Sequence, residues 1–190
     1  MFIPLDSFEF KSEVDKSKFI AIATPFNDIN LLKDKITSIK NKYPKAKHYL
    51  YAYKLNQISK CNDDNEPGSI SKGMLELINY HHLDQILIIV VRYYGGVKLG
   101  AARLLRVYLD TVNNLLKNLP VGELVDVYKY TLEVDYPTFN KIKNAGFLIT
   151  KTDYFDKINL VIISKEDITN SLGQFKINNL KVSKTKRVIK

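Results

Sequence analysis

Arg92 opens the segment Arg92-Tyr93-Tyr94-Gly95-Gly96-Val97-Lys98-Leu99-Gly100, where two cations and three glycines sit between an apolar run and an amphipathic pattern. The first N–H groups of a helix have no acceptor within it. A glycine-rich turn leading into one, with Arg92, Lys98, Arg103 and Arg106 nearby, therefore suits phosphate or another anion. The spacing is not that of a P-loop, whose lysine follows the last glycine and precedes Ser or Thr, nor that of a dinucleotide fingerprint. No cofactor is expected. A second cluster, Asp63-Asp64-Asn65-Glu66-Pro67-Gly68, holds three carboxylates in four positions. Such a loop can supply a general base or ligands to a divalent cation, since magnesium commonly takes one or two carboxylates plus water and phosphate oxygens; the spacing does not specify a metal. His48, at the start of an alternating aromatic segment, is placed to carry a proton beside that loop. Cys61 lacks a third group that would orient a Cys61–His48 pair as nucleophile and base.

These residues need a frame. The alternation of Lys18 to Ile22 reads as a strand, and the apolar spacing from Asp28 to Lys42 reads as a helix ended by Pro44. His48 to Tyr53 predicts a second strand, whose Tyr49, Tyr51 and Tyr53 share one face. Asn56 to Gly68 is rich in Asn, Asp, Pro and Gly and reads as one long loop. A helix is expected over Ser71 to Tyr80, then a strand over Gln85 to Arg92, nearly continuous in apolar β-branched residues as in strands covered on both faces. From Ala101 to Leu119 a helix is predicted, with Leu105, Tyr108, Val112, Leu115 and Leu119 as its buried stripe. By pattern alone this half suggests an ordinary doubly wound sheet. Beyond a boundary near Pro120 to Asp126, the expected order is a strand (Val127–Val134), a helix (Pro137–Ala145, closed by Gly146), strands over Phe147–Phe155 and Lys157–Ser164, a helix from Glu166 and a strand over Leu180–Val188. That βαββαβ order is the ferredoxin-like split unit. The expected class is thus α+β, with two α/β domains at 1–122 and 127–190.

With 190 residues, 26% charged and 45% hydrophobic, the chain has the composition of a globular protein with a sizeable core. Its longest apolar run, Ile86 to Val91, is far short of the roughly 18–20 residues a spanning helix needs, so no membrane partner is expected. The start of the chain has no secretory pattern and there is a single cysteine, which together lead to an expected cytoplasmic location. The formal charge of +9 would suggest a polyanionic partner, but 25 of the 29 basic residues are lysine and asparagine is abundant, the signature of a coding bias. Arginine is the informative cation. Three of the four arginines fall at Arg92, Arg103 and Arg106, where a planar fork has a use that lysine does not serve. The second half is the more basic, with 12 basic and 6 acidic residues over 129–190 against 17 and 14 over 1–128.

The segments Ser17-Lys18-Phe19-Ile20, Ala46-Lys47-His48, Asp64-Asn65-Glu66-Pro67-Gly68 and Val91 through Gly100, followed by Arg106-Val107-Tyr108, resemble the YigZ/IMPACT family in order and spacing. The resemblance implies an amino-terminal IMPACT-type domain with a left-handed βαβ arrangement, similar to ribosomal-protein and elongation-factor domains, in place of a doubly wound sheet. It also implies that the βαββαβ tail is similar to a domain of elongation factor G. The chain departs from the family pattern at Asn65, at Ser69 to Lys72, and at Ala102 and Arg103, all positions where the family has glycine or a glycine-rich stretch. The resemblance implies a role in translation, since eukaryotic members regulate it by competing for an activator of an initiation-factor kinase. The expected function is accordingly a nucleic-acid- or ribosome-binding protein in translation or its regulation, without catalysis, with a protein partner in translation control as a further expectation. Its anion site is assigned to Arg92, Gly95, Gly96, Lys98, Gly100, Arg103 and Arg106. The alternative is a hydrolase of a phosphorylated or peptide-like substrate, with His48, Asp64 and Glu66 as its catalytic groups and Arg92 as an anion clamp.

Overall fold

The structure is a computed structural model that describes residues 1–189. It divides into two compact units, Met1–Glu123 and Leu124–Ile189. In the first, β1 (Phe2–Pro4), β2 (Phe8–Val14) and β3 (Ser17–Pro25) precede a 3-10 turn (Ile29–Leu31) and α1 (Leu32–Lys42). β4 (His48–Leu55), β5 (Ile58–Asn62), α2 (Ile70–Tyr80), β6 (Ile86–Tyr93) and α3 (Ala101–Lys117) follow.

The sheet of this unit runs β2-β3-β6-β4-β5, and every neighbouring pair is antiparallel. The doubly wound parallel sheet suggested by pattern is thereby corrected. β3 and β4, joined through α1, both run against β6, which lies between them. β6 is buried along almost its whole length because both faces of the sheet are covered. Ile86, Ile88 and Val90 face the core under α2 and α3, with Phe19, Met74, Tyr108 and Val112, while Leu87, Ile89 and Val91 pack on the α1 side with Ile20, Ile22 and Phe26. The continuous apolar run thus reports burial on two faces, and the strand direction is set by its neighbours.

Two hairpins escape the pattern. β2 and β3 turn through Asp15 and Lys16, whose φ values of 48° and 63° are those a two-residue primed turn requires at both central positions. The stretch expected as one long loop contains β5, paired to β4 from Leu55↔Ile58 to Tyr51↔Asn62. β5 is largely exposed, so its sequence has no apolar alternation to reveal it. Tyr53 is buried, and Tyr49 and Tyr51 pack against the α1-side core. On α3 the buried residues are Leu104, Tyr108, Thr111, Val112, Leu115 and Leu116, so Leu104 takes the place expected for Leu105.

In the second unit, β7 (Val121–Val134), which begins within the first unit, is followed by α4 (Tyr136–Asn144), β8 (Ile149–Tyr154), β9 (Ile158–Ser164), α5 (Thr169–Leu172) and β10 (Ile177–Ile189). The strand order β10-β7-β9-β8 is that of the split βαββαβ arrangement. Its core is built from Tyr130, Leu132, Val134, Phe139, Ile142, Ile158, Leu160 and Ile162. Asp135 caps α4 by accepting from Thr138 N at 2.8 Å. The helix expected from Glu166 is a single turn, because Asp167 Oδ1 binds Thr169 N at 2.9 Å and Tyr130 Oη at 2.8 Å, ordering the approach as a loop. No helix among the described residues is long and apolar enough to cross a membrane.

Candidate functional site

Strand register builds the site. Arg92 lies directly across from Phe19 on β3 and from His48 on β4, so the three side chains share one face, the one carrying Val90. α3 packs over that face and brings Tyr108 and Leu104 above the strand ends. Arg92 stands over the Phe19 ring at 5.6 Å and the Tyr94 ring at 5.7 Å, and Phe19 meets Tyr108 edge-on at 5.0 Å. The acidic loop then delivers Glu66. Arg92 Nη1 donates to Glu66 Oε1 at 2.6 Å and Tyr108 Oη donates to Glu66 Oε2 at 2.7 Å, all three side chains being buried. Burial and the Glu66 carboxylate push the Tyr108 hydroxyl far above the usual phenol range, so it remains a donor.

The remaining acidic residues hold the loop. Asp64 Oδ2 accepts from Tyr49 N at 2.8 Å, and the Asp64 carbonyl faces His48 Nδ1 at 3.1 Å. Asp63 Oδ1 accepts from Ser71 N at 2.6 Å, supplying from a distance the cap that Ser69 does not give to α2. Asn65 has a φ of 61°, in the left-handed region that glycine adopts freely and asparagine tolerates best among other residues, which accounts for the family glycine here. No group of three His, Cys, Asp or Glu residues suited to a metal exists among the described residues.

A cavity of about 350 Å³ opens where these pieces meet, lined by His48, Glu66, Arg92, Lys98 and Gly100 among the residues selected from sequence. The acidic loop and the glycine turn therefore form one site. Lys47, Pro67, Tyr94, Leu99, Ala101 and Leu104 complete it. Lys47 is placed by its backbone N–H, which donates to the Arg92 carbonyl at 2.9 Å, and its ammonium lies 5.4 Å from the Tyr94 ring. Gly100, with a φ of 74°, precedes α3 and offers no side-chain cap, so the first N–H groups of a 17-residue helix meet the cavity uncapped.

The other sequence-selected residues lie elsewhere. Arg103 is exposed and pairs with Asp15 at 2.6 Å, and Arg106 is exposed on α3; neither lines the cavity, contrary to the expected cluster of four cations at one mouth. Gly95 acts in packing. Its N–H donates to Ser17 Oγ at 3.1 Å, and a Cβ there would lie 2.1 Å from the Lys16 carbonyl carbon. Gly96 lies outside the cavity with a φ of 88°. Asp64 is spent on the loop, as described. Sequence reasoning missed Lys47 and the role of Tyr108. A tyrosine in an otherwise aliphatic buried stripe carries a hydroxyl that needs a partner, which was the available signal.

The glycine turn, the acidic loop and the buried pair all fall within residues 15–116, and this span matches the family model described as the Impact N-terminal domain. The chain belongs to the IMPACT family. It is 29% identical over 175 residues to the IMPACT family member YvyE of Bacillus subtilis, covering 88% of this chain and 81% of that protein. It is 30% identical over 140 residues to the IMPACT family member YigZ of Escherichia coli, covering 70% and 69%. A crystal structure of a protein described as hypothetical aligns with a TM-score of 0.64 at 25% identity, over 93% of this chain and 95% of the other. The likeness to that structure and to YvyE extends past the IMPACT amino-terminal domain into the βαββαβ unit.

Proposed function

We propose that this IMPACT-family chain is an RNA- or ribosome-binding protein acting in translation or its regulation, and that it contacts phosphate at the cavity. The observation that carries this reading is the uncapped amino terminus of α3 opening into the cavity between the exposed cations Lys47 and Lys98. Backbone N–H groups and the helix dipole favour an anion there, and the two ammonium groups add sequence-independent attraction. Arg92 holds the frame in this reading, since its guanidinium is committed to Glu66. Arg106, exposed further along α3, adds positive charge to this unit, and the second unit is itself basic. The translational context rests on the family resemblance.

The hydrolytic alternative has His48 Nε2 at 3.6 Å from Glu66 Oε2 in its favour. Two of its three proposed catalytic groups are engaged in holding the frame, Asp64 with Tyr49 N and Glu66 with Arg92 and Tyr108. The binding reading is therefore the stronger.

The test is a salt titration of binding to short RNAs and to ribosomal subunits, for the native chain and for the double variant Lys47→Gln/Lys98→Gln. Salt-sensitive binding that the double variant loses supports the reading. No RNA or subunit binding at low salt overturns it.

A further inference from the structure

The floor of the cavity is more selective than its mouth. Arg92 is buried with its Nε lacking any hydrogen-bond partner, and the Nη1 bond to Glu66 does not relieve that atom. A buried donor without an acceptor is costly, and an oxygen from a bound molecule would satisfy it. His48 stands on the same floor. Its Nδ1 lies 3.1 Å from the Asp64 carbonyl oxygen, which can only accept, so Nδ1 carries the proton. Nε2 stands 3.6 Å from Glu66 Oε2, beyond hydrogen-bond distance.

The cavity thus has cations and helix N–H groups at its mouth, and on its floor an unsatisfied donor beside the Glu66 carboxylate. A phosphate alone answers only the mouth. A hydroxyl both accepts, from Arg92 Nε, and donates, to Glu66 Oε2 beside His48. Phosphate and hydroxyl are adjacent in a ribonucleotide, and the 2′-hydroxyl is the group that separates RNA from DNA. The volume of about 350 Å³ suits one nucleotide, and the buried Glu66 and Arg92 form its floor. Two lysines and a helix terminus also match the nearly double charge of a phosphate monoester better than the single charge of a diester.

We propose that this cavity holds the terminal nucleotide of an RNA, with a phosphate monoester at the α3 amino terminus between Lys47 and Lys98 and the 2′-hydroxyl on the His48–Glu66–Arg92 floor. The proposal rests on the RNA-binding reading above and narrows it to chain ends.

Fluorescence anisotropy with short single-stranded RNAs of one sequence tests it, the ends carrying a 5′-phosphate, a 3′-phosphate or hydroxyls only, each also made with a 2′-deoxy terminal residue. One phosphorylated end binds at least about tenfold more tightly than the hydroxyl-ended RNA, a difference of roughly 1.4 kcal/mol. The terminal 2′-deoxy residue weakens that complex, Lys98→Gln removes the preference for phosphate, and His48→Phe removes only the ribose preference. Thermal melts of both variants verify that they fold. Equal affinity for all ends overturns the proposal and leaves the RNA-binding reading standing. A preference for phosphate without any 2′-deoxy effect in the native chain also overturns it. Absence of binding to every RNA overturns both.

Discussion

Glu66 and Arg92 form a buried ion pair at 2.6 Å across 26 residues of sequence, joining the acidic loop to the end of the central strand. Removing one partner leaves the other as a buried charge without its counter-ion, which costs about 3–5 kcal/mol. Glu66→Ala is therefore expected to lower stability by that amount in urea titration. In a double-mutant cycle with Arg92→Met, the two losses are expected to fall well short of additive, because the second substitution removes the charge that the first left unpaired.

Tyr108→Phe tests the third member of this cluster. It removes the hydroxyl that donates to Glu66 Oε2 and keeps the ring against Phe19. A hydrogen bond to a charged group contributes about 1.5–3 kcal/mol, and a loss in that range is the expected result in the same titration. Because burial and Glu66 raise the Tyr108 pKa, its phenol is also expected to stay un-ionised through an alkaline absorbance titration of the folded chain.

The neighbouring glycines of the signature differ in what they tolerate. A Cβ on Gly95 would overlap the Lys16–Ser17 backbone, whereas one on Gly96 meets nothing within 4 Å and suffers only from the φ of 88°. Gly96→Ala is expected to cost about 1–2 kcal/mol from backbone strain, and Gly95→Ala considerably more. Comparing the two melting curves decides this, and equal losses would contradict the packing role assigned to Gly95.

Binding should respond to salt in proportion to the phosphates engaged. On single strands each neutralised phosphate contributes about 0.7 to the slope of log K against log salt, so Lys47→Gln and Lys98→Gln should each flatten it by roughly that amount. Arg103→Gln, which loses an exposed pair with Asp15 away from the cavity, should change it less. The slope is read from anisotropy titrations at several salt concentrations.

An acid limb of stability is expected from Glu9. Burial raises its pKa, but hydrogen bonds from Tyr43, Lys42 and Lys11 outweigh that effect and bring it to about 2, below the ordinary 4.5. A folded-state pKa below the unfolded one means stability that is present above about pH 4.5 and lost as pH falls through about 2. Glu9→Gln should therefore lower stability at neutral pH by on the order of 1 kcal/mol, given screening by solvent, with the difference from the native chain vanishing toward pH 2. Urea titrations across that range measure it.

Residue types and periods alone determined much of this molecule. The apolar run of Ile86 to Val91, the helical stripe through Tyr108 and Leu115, the βαββαβ order of the second half and the family signature from Val91 to Gly100 could all be read before any fold was known, because period and turn chemistry are local properties. Tertiary structure decided the antiparallel direction of β6, the exposed hairpin strand β5 and the membership of the site. His48, Glu66, Arg92 and Lys98 converge, while Arg103 and Arg106, close to Lys98 in sequence, turn away on α3. The register that sets His48 opposite Arg92, and the packing that lays Tyr108 against Phe19, arise from burying both faces of one sheet at once. That constraint acts across residues far apart in the chain and leaves no mark in any short window of sequence.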